Sequence, residues 1–296
     1  MADSEPDSEP LDDAWAGDRV TRWLRQSAGL ERQLSPVSTR LFAAARLHPG
    51  EAVLDVGCGT GPTTRAAAVA VGPEGRVTGL DISPDMLAAA AAVPPDPGAA
   101  PIDWVTADAV TWSTPSENPY DVVISRFGVM FFSDPGAAFT ALARAAGPAG
   151  RLAVVVWARR DDSELFELPL QVSVDTLNVR GADAVLPPSD AGPFSMHDPD
   201  QMSALLRTAG WADVGIESFD LIFRFAGGVP ADQAAVAALD FGPTRQVMAR
   251  ASDEDSAAVQ EALARAFADH LDADGHVSLQ GRVRVVTARR ATTDPR

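Results

Sequence analysis

The sequence predicts an α/β fold: a doubly wound, mostly parallel sheet of seven strands, with N-terminal helices and a helical cap insertion. Three observations carry this. Short apolar runs alternate with helix-like segments from Ala52 to Trp157. The runs are largely apolar, as strands covered on both faces are, though an aspartate sits inside the first. Successive helices open with one device, a proline in the first turn: Gly61-Pro62, Ser83-Pro84, Asp134-Pro135 and Asp198-Pro199. Proline fits there because the first-turn N–H has no intrahelical partner, and Ser or Asp before it can cap.

Residues 1–13 (MADSEPDSEPLDD) read as a disordered acidic tail. Residues 14–48 read as helical, with Trp15, Val20, Trp23, Leu24, Leu30, Leu34, Leu41 and Phe42 at helix-like spacing. The core follows over 50–160. Strands are expected at Ala52–Val56, Arg76–Asp81, Ile102–Thr106, Asp121–Ser125 and Arg151–Trp157. Helices are expected at Pro62–Val71, Pro84–Ala92 and Pro135–Ala146. Residues 161–197 break the alternation and read as an irregular cap insertion. Residues 198–296 complete the core. They hold a helix at Pro199–Ala209, a strand at Val214–Phe225, an alanine-rich helical insertion over 230–270 and a last strand at His276–Ala288. Residues 14–296 are thereby expected to form one domain.

The 296 residues are enough to bury a sizeable core. Every one of the 24 basic residues is arginine, which excludes Schiff-base and lysine P-loop chemistry. The net charge of -17 weighs against a nucleic-acid partner, which needs a basic face. One cysteine excludes an internal disulfide, and no apolar run approaches the roughly 20 residues of a membrane span. The N-terminus lacks a basic-then-apolar signal pattern, so a cytoplasmic location is expected.

The densest motif is VLDVGCGTGPTTRAA, Val53 to Ala67. It reads as a nucleotide-binding turn, a reactive thiol or a tight turn without ligand. Glycines after a strand let the backbone approach a ligand, and the following helix offers unpaired N–H groups. Asp81 ends the next strand twenty residues after Gly61, where a carboxylate can accept both hydroxyls of a ribose. Pro62 occupies the position at which a dinucleotide fingerprint wants Gly or Ala. Cys58 has no His/Asn partner pattern and reads as a small buried filler. The DADG at Asp272 lacks the closing glutamate of a calcium loop, since Val283 stands there; no metal site is expected.

VLDVGCGTG followed by GLDIS resembles the class I S-adenosylmethionine-dependent methyltransferases, closest to their ubiquinone/menaquinone-biosynthesis-like, small-molecule branch. The resemblance implies a Rossmann-like methyltransferase fold and S-adenosyl-L-methionine as cofactor. It implies that Gly57, Gly59 and Gly61 line the methionine end, with Asp55 ordering their loop. Asp81 would hold the ribose, Ile82 and Met86 would pack on adenine, and Asp108 and Ala109 would meet its amino edge. Arg126, Phe127 and Gly128 would line the pocket near the methyl donor. The helices bearing Trp15 and Trp23 would close over the site.

Candidate bases are Glu167, in the apolar segment LFELPL, and His197, which could titrate near neutral pH. Each has a bland reading, a solvated helix face for Glu167 and a capping role for His197. SRFG after the fourth strand lacks the Asn/Asp-Pro-Pro-aromatic motif of base amino-methylation. The expected acceptor is a small lipophilic molecule of specialised metabolism, in a pocket made apolar by Phe127, Met130, Phe131, Phe166, Trp211 and Phe223. An alternative assembles Arg126, Arg224 and Glu167 for C-methylation of a prenyl diphosphate. Rivals of other classes are an NAD-dependent oxidoreductase and a non-catalytic S-adenosylmethionine-binding module.

Overall fold

Seven strands join in one sheet of order β3-β2-β1-β4-β5-β7-β6. They are β1 (Ala52–Val56), β2 (Arg76–Asp81), β3 (Ile102–Thr106), β4 (Tyr120–Arg126), β5 (Ala146–Trp157), β6 (Trp211–Arg224) and β7 (Ser278–Arg290). The first five are parallel, and β7 runs antiparallel between β5 and β6. The computed structural model describes residues 18–113 and 119–291. The acidic tail and Trp15 lie outside the described residues, as does the side chain of Trp23.

The central strands are apolar because both faces are covered. All five residues of β1 are buried, and Val122, Val123 and Ile124 of β4 are fully so. The helices are α1 (Asp18–Ala45), α2 (Pro62–Val71), α3 (Pro84–Ala91), α4 (Pro135–Ala145), α5 (Glu164–Val179), α6 (Pro199–Thr208), α7 (Ala231–Leu239), α8 (Gly242–Met248) and α9 (Asp253–Phe267). Three of the proline starts are capped by side chains. Ser83 accepts from Met86 N, Asp134 from Ala137 N, and Asp198 from Asp200 N and Gln201 N. At the fourth, Gly61 enters α2 in a left-handed conformation, φ 75°.

Two expectations are corrected here. The cap is not irregular throughout, since Glu164–Val179 forms a helix with Pro169 inside it. Apolar Leu165, Phe166, Pro169, Leu170, Val174 and Leu177 are buried along one side of it, and such tertiary burial outweighs the proline's helix-breaking tendency. The next-to-last strand is longer than expected, and the last keeps its expected length but lies two residues further on, at Ser278–Arg290. Strand β6 starts at Trp211 and passes a register shift between Ala212 and Gly215, with Asp213 at φ 51°. The glycine and positive-φ aspartate of this bulge hide the strand's true start from propensity.

Strand order reverses between β1 and β4, so a crevice opens beyond their carboxyl ends. No described helix is long and apolar enough to cross a membrane.

Candidate active site

The crevice is built by close backbone contact between two loops. A Cβ on Gly57, after β1, would stand 2.6 Å from Gly128 Cα, after β4. Gly57 and Gly59 have φ of 65° and 56°, conformations that favour glycine. Gly57 N and Cys58 N donate to Leu80 O at 2.8 and 3.1 Å, which ties the turn to β2. Ser125 Oγ donates to Val56 O at 2.7 Å and accepts from Gly128 N at 3.1 Å, which ties it to β4.

Beneath the turn, Asp55 is fully buried. Its Oδ2 accepts from Thr63 Oγ1 and Thr64 Oγ1, both at 2.7 Å, while Oδ1 has no partner among the described residues. Burial pushes its carboxyl up to about 6, against the two hydroxyls that favour the charged form. Asp55 thus orders the loop by holding the start of α2. The two threonines were not singled out from sequence, although their spacing of eight and nine residues from Asp55 places them on the first helical turn.

A cavity of about 140 Å³ opens at these carboxyl ends. Gly57, Gly59, Asp81, Ile82, Met86, Asp108, Ala109, Arg126, Phe127 and Gly128 all line it, as do Phe131, Phe132 and Ser133. Asp81 Oδ2 accepts from Gly59 N at 2.7 Å and Oδ1 from Ser83 N at 2.9 Å, so its carboxylate is aimed before any ligand arrives. Burial raises its pKa, partly offset by these backbone donors. Asp108 Oδ1 accepts from Val110 N at 2.9 Å, forming a local turn in the cavity wall.

Some expected residues sit elsewhere. Gly61 faces the Trp104 indole instead of the cavity, and a Cβ there would fall 2.3 Å from the ring. Cys58 is buried, and desolvation raises its thiol pKa, so the filler reading agrees with its surroundings. Glu167 is absent from the cavity wall; its Oε2 accepts from Arg160 Nη1 at 2.5 Å. The reason is electrostatic. The Arg160 side chain is only 4% exposed, and a buried guanidinium requires a nearby anion. His197 also stands outside the wall, its Nδ1 2.9 Å from Phe194 O, and Asp198 next to it caps α6.

The aromatic residues divide as well. Phe127 and Phe131 line the cavity, but Met130, Phe166, Trp211 and Phe223 are core. Phe166 meets Trp157 edge-on and stacks on Phe241, while Trp211 Nε1 donates to Phe139 O at 3.0 Å. Sequence could not separate these groups, because both are apolar and they are contiguous in space: Phe127 stacks on Trp157, which packs against Phe166 and Phe223. The prenyl diphosphate constellation is likewise dispersed. Arg224 pairs with Asp272 and Asp274, Glu167 with Arg160, and of the three only Arg126 reaches the cavity.

The wall fits S-adenosylmethionine. Gly59 leaves open space, since a Cβ there would meet no protein atom within 4 Å. Asp81 offers carboxylate lone pairs for a diol, and Ile82, Met86 and Ala109 offer an apolar slot for a base. When bound, the cofactor supplies a methyl group on a sulfonium, activated for displacement by a nucleophile.

Comparison with known proteins agrees. Residues 53–150 match the family model described as a methyltransferase domain. Nocamycin O-methyltransferase of Saccharothrix syringae is 31% identical over 194 residues, covering 64% of this chain and 69% of that protein. Aklanonic acid methyltransferase DauC of a Streptomyces species is 32% identical over 140 residues, covering 46% of this chain and 63% of that protein. Among solved structures, a candidate methyltransferase from Bacillus halodurans aligns with a TM-score of 0.51 at 20% identity, over 86% of this chain and 99% of that one, which is a likeness of fold. The chain belongs to the class I S-adenosylmethionine-dependent methyltransferases, and S-adenosyl-L-methionine is its cofactor.

Proposed function

We propose that the chain methylates a small, lipophilic acceptor of specialised metabolism, and that residues 14–296 act as one methyltransferase unit. The observation that carries this is the make-up of one stretch of the cavity wall, where Phe127, Phe131 and Phe132 are joined by the polar Ser133. Small-ligand pockets are mostly apolar with a few polar anchors. The Phe127 ring is held by stacking on Trp157, with centroids 4.2 Å apart and planes 9° apart, so this part of the wall is preformed.

The relatives support the same class, since two of them carry the names of natural-product methyltransferases. The protein's contribution is alignment: a rigid apolar wall and a fixed cofactor bring nucleophile and methyl group into line.

The test is transfer of radiolabelled methyl from S-adenosylmethionine to a panel of aromatic and polyketide-like acceptors, with polar metabolites and oligonucleotides as comparison. Labelling confined to lipophilic acceptors is expected. Labelling confined to polar metabolites or nucleic acid would overturn the assignment.

A further inference from the structure

We propose that Arg126 binds a carboxylate inside the cavity, through the edge of its guanidinium that the protein leaves open. This deepens the methyl-transfer reading and rests on it. A guanidinium offers five N–H donors in a planar fork. One end of the fork is taken in Arg126. Nη1 donates to Glu31 Oε1 at 2.9 Å and to Ser38 Oγ at 2.6 Å, and Nη2 donates to Glu31 Oε2 at 2.5 Å.

Nε–H and the second Nη2–H remain, together along one edge of the planar group. No described acceptor meets Nε–H, and Nε is not among the buried atoms that lack a partner, so it is open to a ligand. The side chain as a whole is only 9% exposed and forms part of the cavity wall. Its open edge therefore faces the cavity. Two parallel N–H···O bonds from such an edge match a planar carboxylate.

The other end of the fork is held independently of any ligand. Helix α1, which carries Glu31 and Ser38, has its own anchors on the turn after β6. Arg32 Nε donates to Gly227 O at 3.1 Å, and Ala226 N donates to Gln33 Oε1 at 2.7 Å. Gly29 and Gly227 meet there backbone to backbone, since a Cβ on Gly227 would fall 2.5 Å from Gly29 O. Glu31 is thus a positioning residue, which orients Arg126 from a helix docked by other contacts.

Two sources present this chemistry: the methionyl carboxylate of the cofactor and an acid group on the acceptor. The experiment titrates the full chain and its Arg126→Lys variant with S-adenosylmethionine and with its decarboxylated analogue, by calorimetry. Lysine keeps the charge and loses the fork. If the carboxylate is the cofactor's, the unaltered chain prefers S-adenosylmethionine by at least about tenfold, and Arg126→Lys erases most of that preference. If it is the acceptor's, that preference is untouched. Labelled-methyl transfer to acid-bearing acceptors then falls about tenfold or more in Arg126→Lys relative to transfer to their carboxamides.

Glu31→Gln is expected to move the same ratio in the same direction by a smaller factor, with the thermal midpoint kept by the other anchors of α1. It carries the comparison if Arg126→Lys does not fold. Neither ratio changing in either variant overturns the inference and leaves the methyl-transfer reading standing. No affinity of the unaltered chain for S-adenosylmethionine would overturn both.

Discussion

Gly57 and Gly128 meet across the switch point of the sheet with no room for a side chain on either. A Cβ on Gly57 would reach Gly128 Cα at 2.6 Å, and one on Gly128 would reach Val56 O at 2.5 Å. The glycine loop after β1 and the loop that carries Arg126 and Phe127 are therefore one assembly. Gly128 does not have the left-handed φ of Gly57, so its replacement adds the steric clash without the penalty of a left-handed backbone. Gly128→Ala is expected to destabilise the fold by about 1–3 kcal/mol. It should also weaken S-adenosylmethionine binding in calorimetry; full affinity would show that the loops need not touch.

Asp81 is the residue on which the cofactor's ribose depends in this reading. Its carboxylate is preset by Gly59 N and Ser83 N. Asp81→Ala removes the acceptor for the diol and leaves both N–H groups unpaired. The expected result is at least about a tenfold loss of affinity for S-adenosylhomocysteine. A binding isotherm unchanged from the parent chain would place the ribose elsewhere.

The buried Asp55 makes stability depend on pH in a defined direction. With its carboxyl raised to about 6, the folded state keeps a proton that the unfolded chain releases near pH 4. Its contribution to stability is therefore largest below about pH 4, declines as pH rises toward 6 and is constant above. The decline amounts to about 3 kcal/mol. Asp55→Asn carries no charge and should lack this component. Denaturant unfolding of both proteins from pH 4 to 8 measures the difference, and parallel profiles would refute the assignment.

Glu167 holds the cap together by neutralising Arg160, which also donates through Nη2 to Pro187 O at 3.0 Å. Glu167→Ala is expected to lower stability by about 3–5 kcal/mol, because it leaves a buried guanidinium unpaired. Glu167→Gln should destabilise less and retain methyl transfer to whichever acceptor the labelling screen identifies. Loss of turnover in a folded Glu167→Gln protein would restore its candidacy as a base.

The contrast between Asp81 and Glu167 shows how far the sequence could be read. Asp81 ends a strand twenty residues past a glycine turn, and local geometry alone puts it at the crevice. Glu167 sits in an apolar segment, which marks an unusual carboxylate without saying what it faces. Its partner Arg160 is seven positions away, in the short turn that precedes the cap helix, a spacing with no regular helical meaning across that break. The same holds for Gly61. Its left-handed turn was evident from the motif, but the Trp104 ring that fills the space beside it comes from β3.

The sequence by itself determined the sheet, the helix starts, the glycine turn and the acids that line the crevice, because each depends on neighbours within a few residues or on a repeating βα unit. Only the tertiary structure decided which aromatics wall the cavity, that Arg126 is clasped by Glu31 and Ser38 from α1, and that Glu167 and His197 stand apart from the site. The clasp of Arg126 joins side chains 88 and 95 residues apart in the chain, and no local pattern encodes it. Glu167 and His197 have partners only seven and three residues away, but their distance from the cavity is a matter of where the cap lies in the fold.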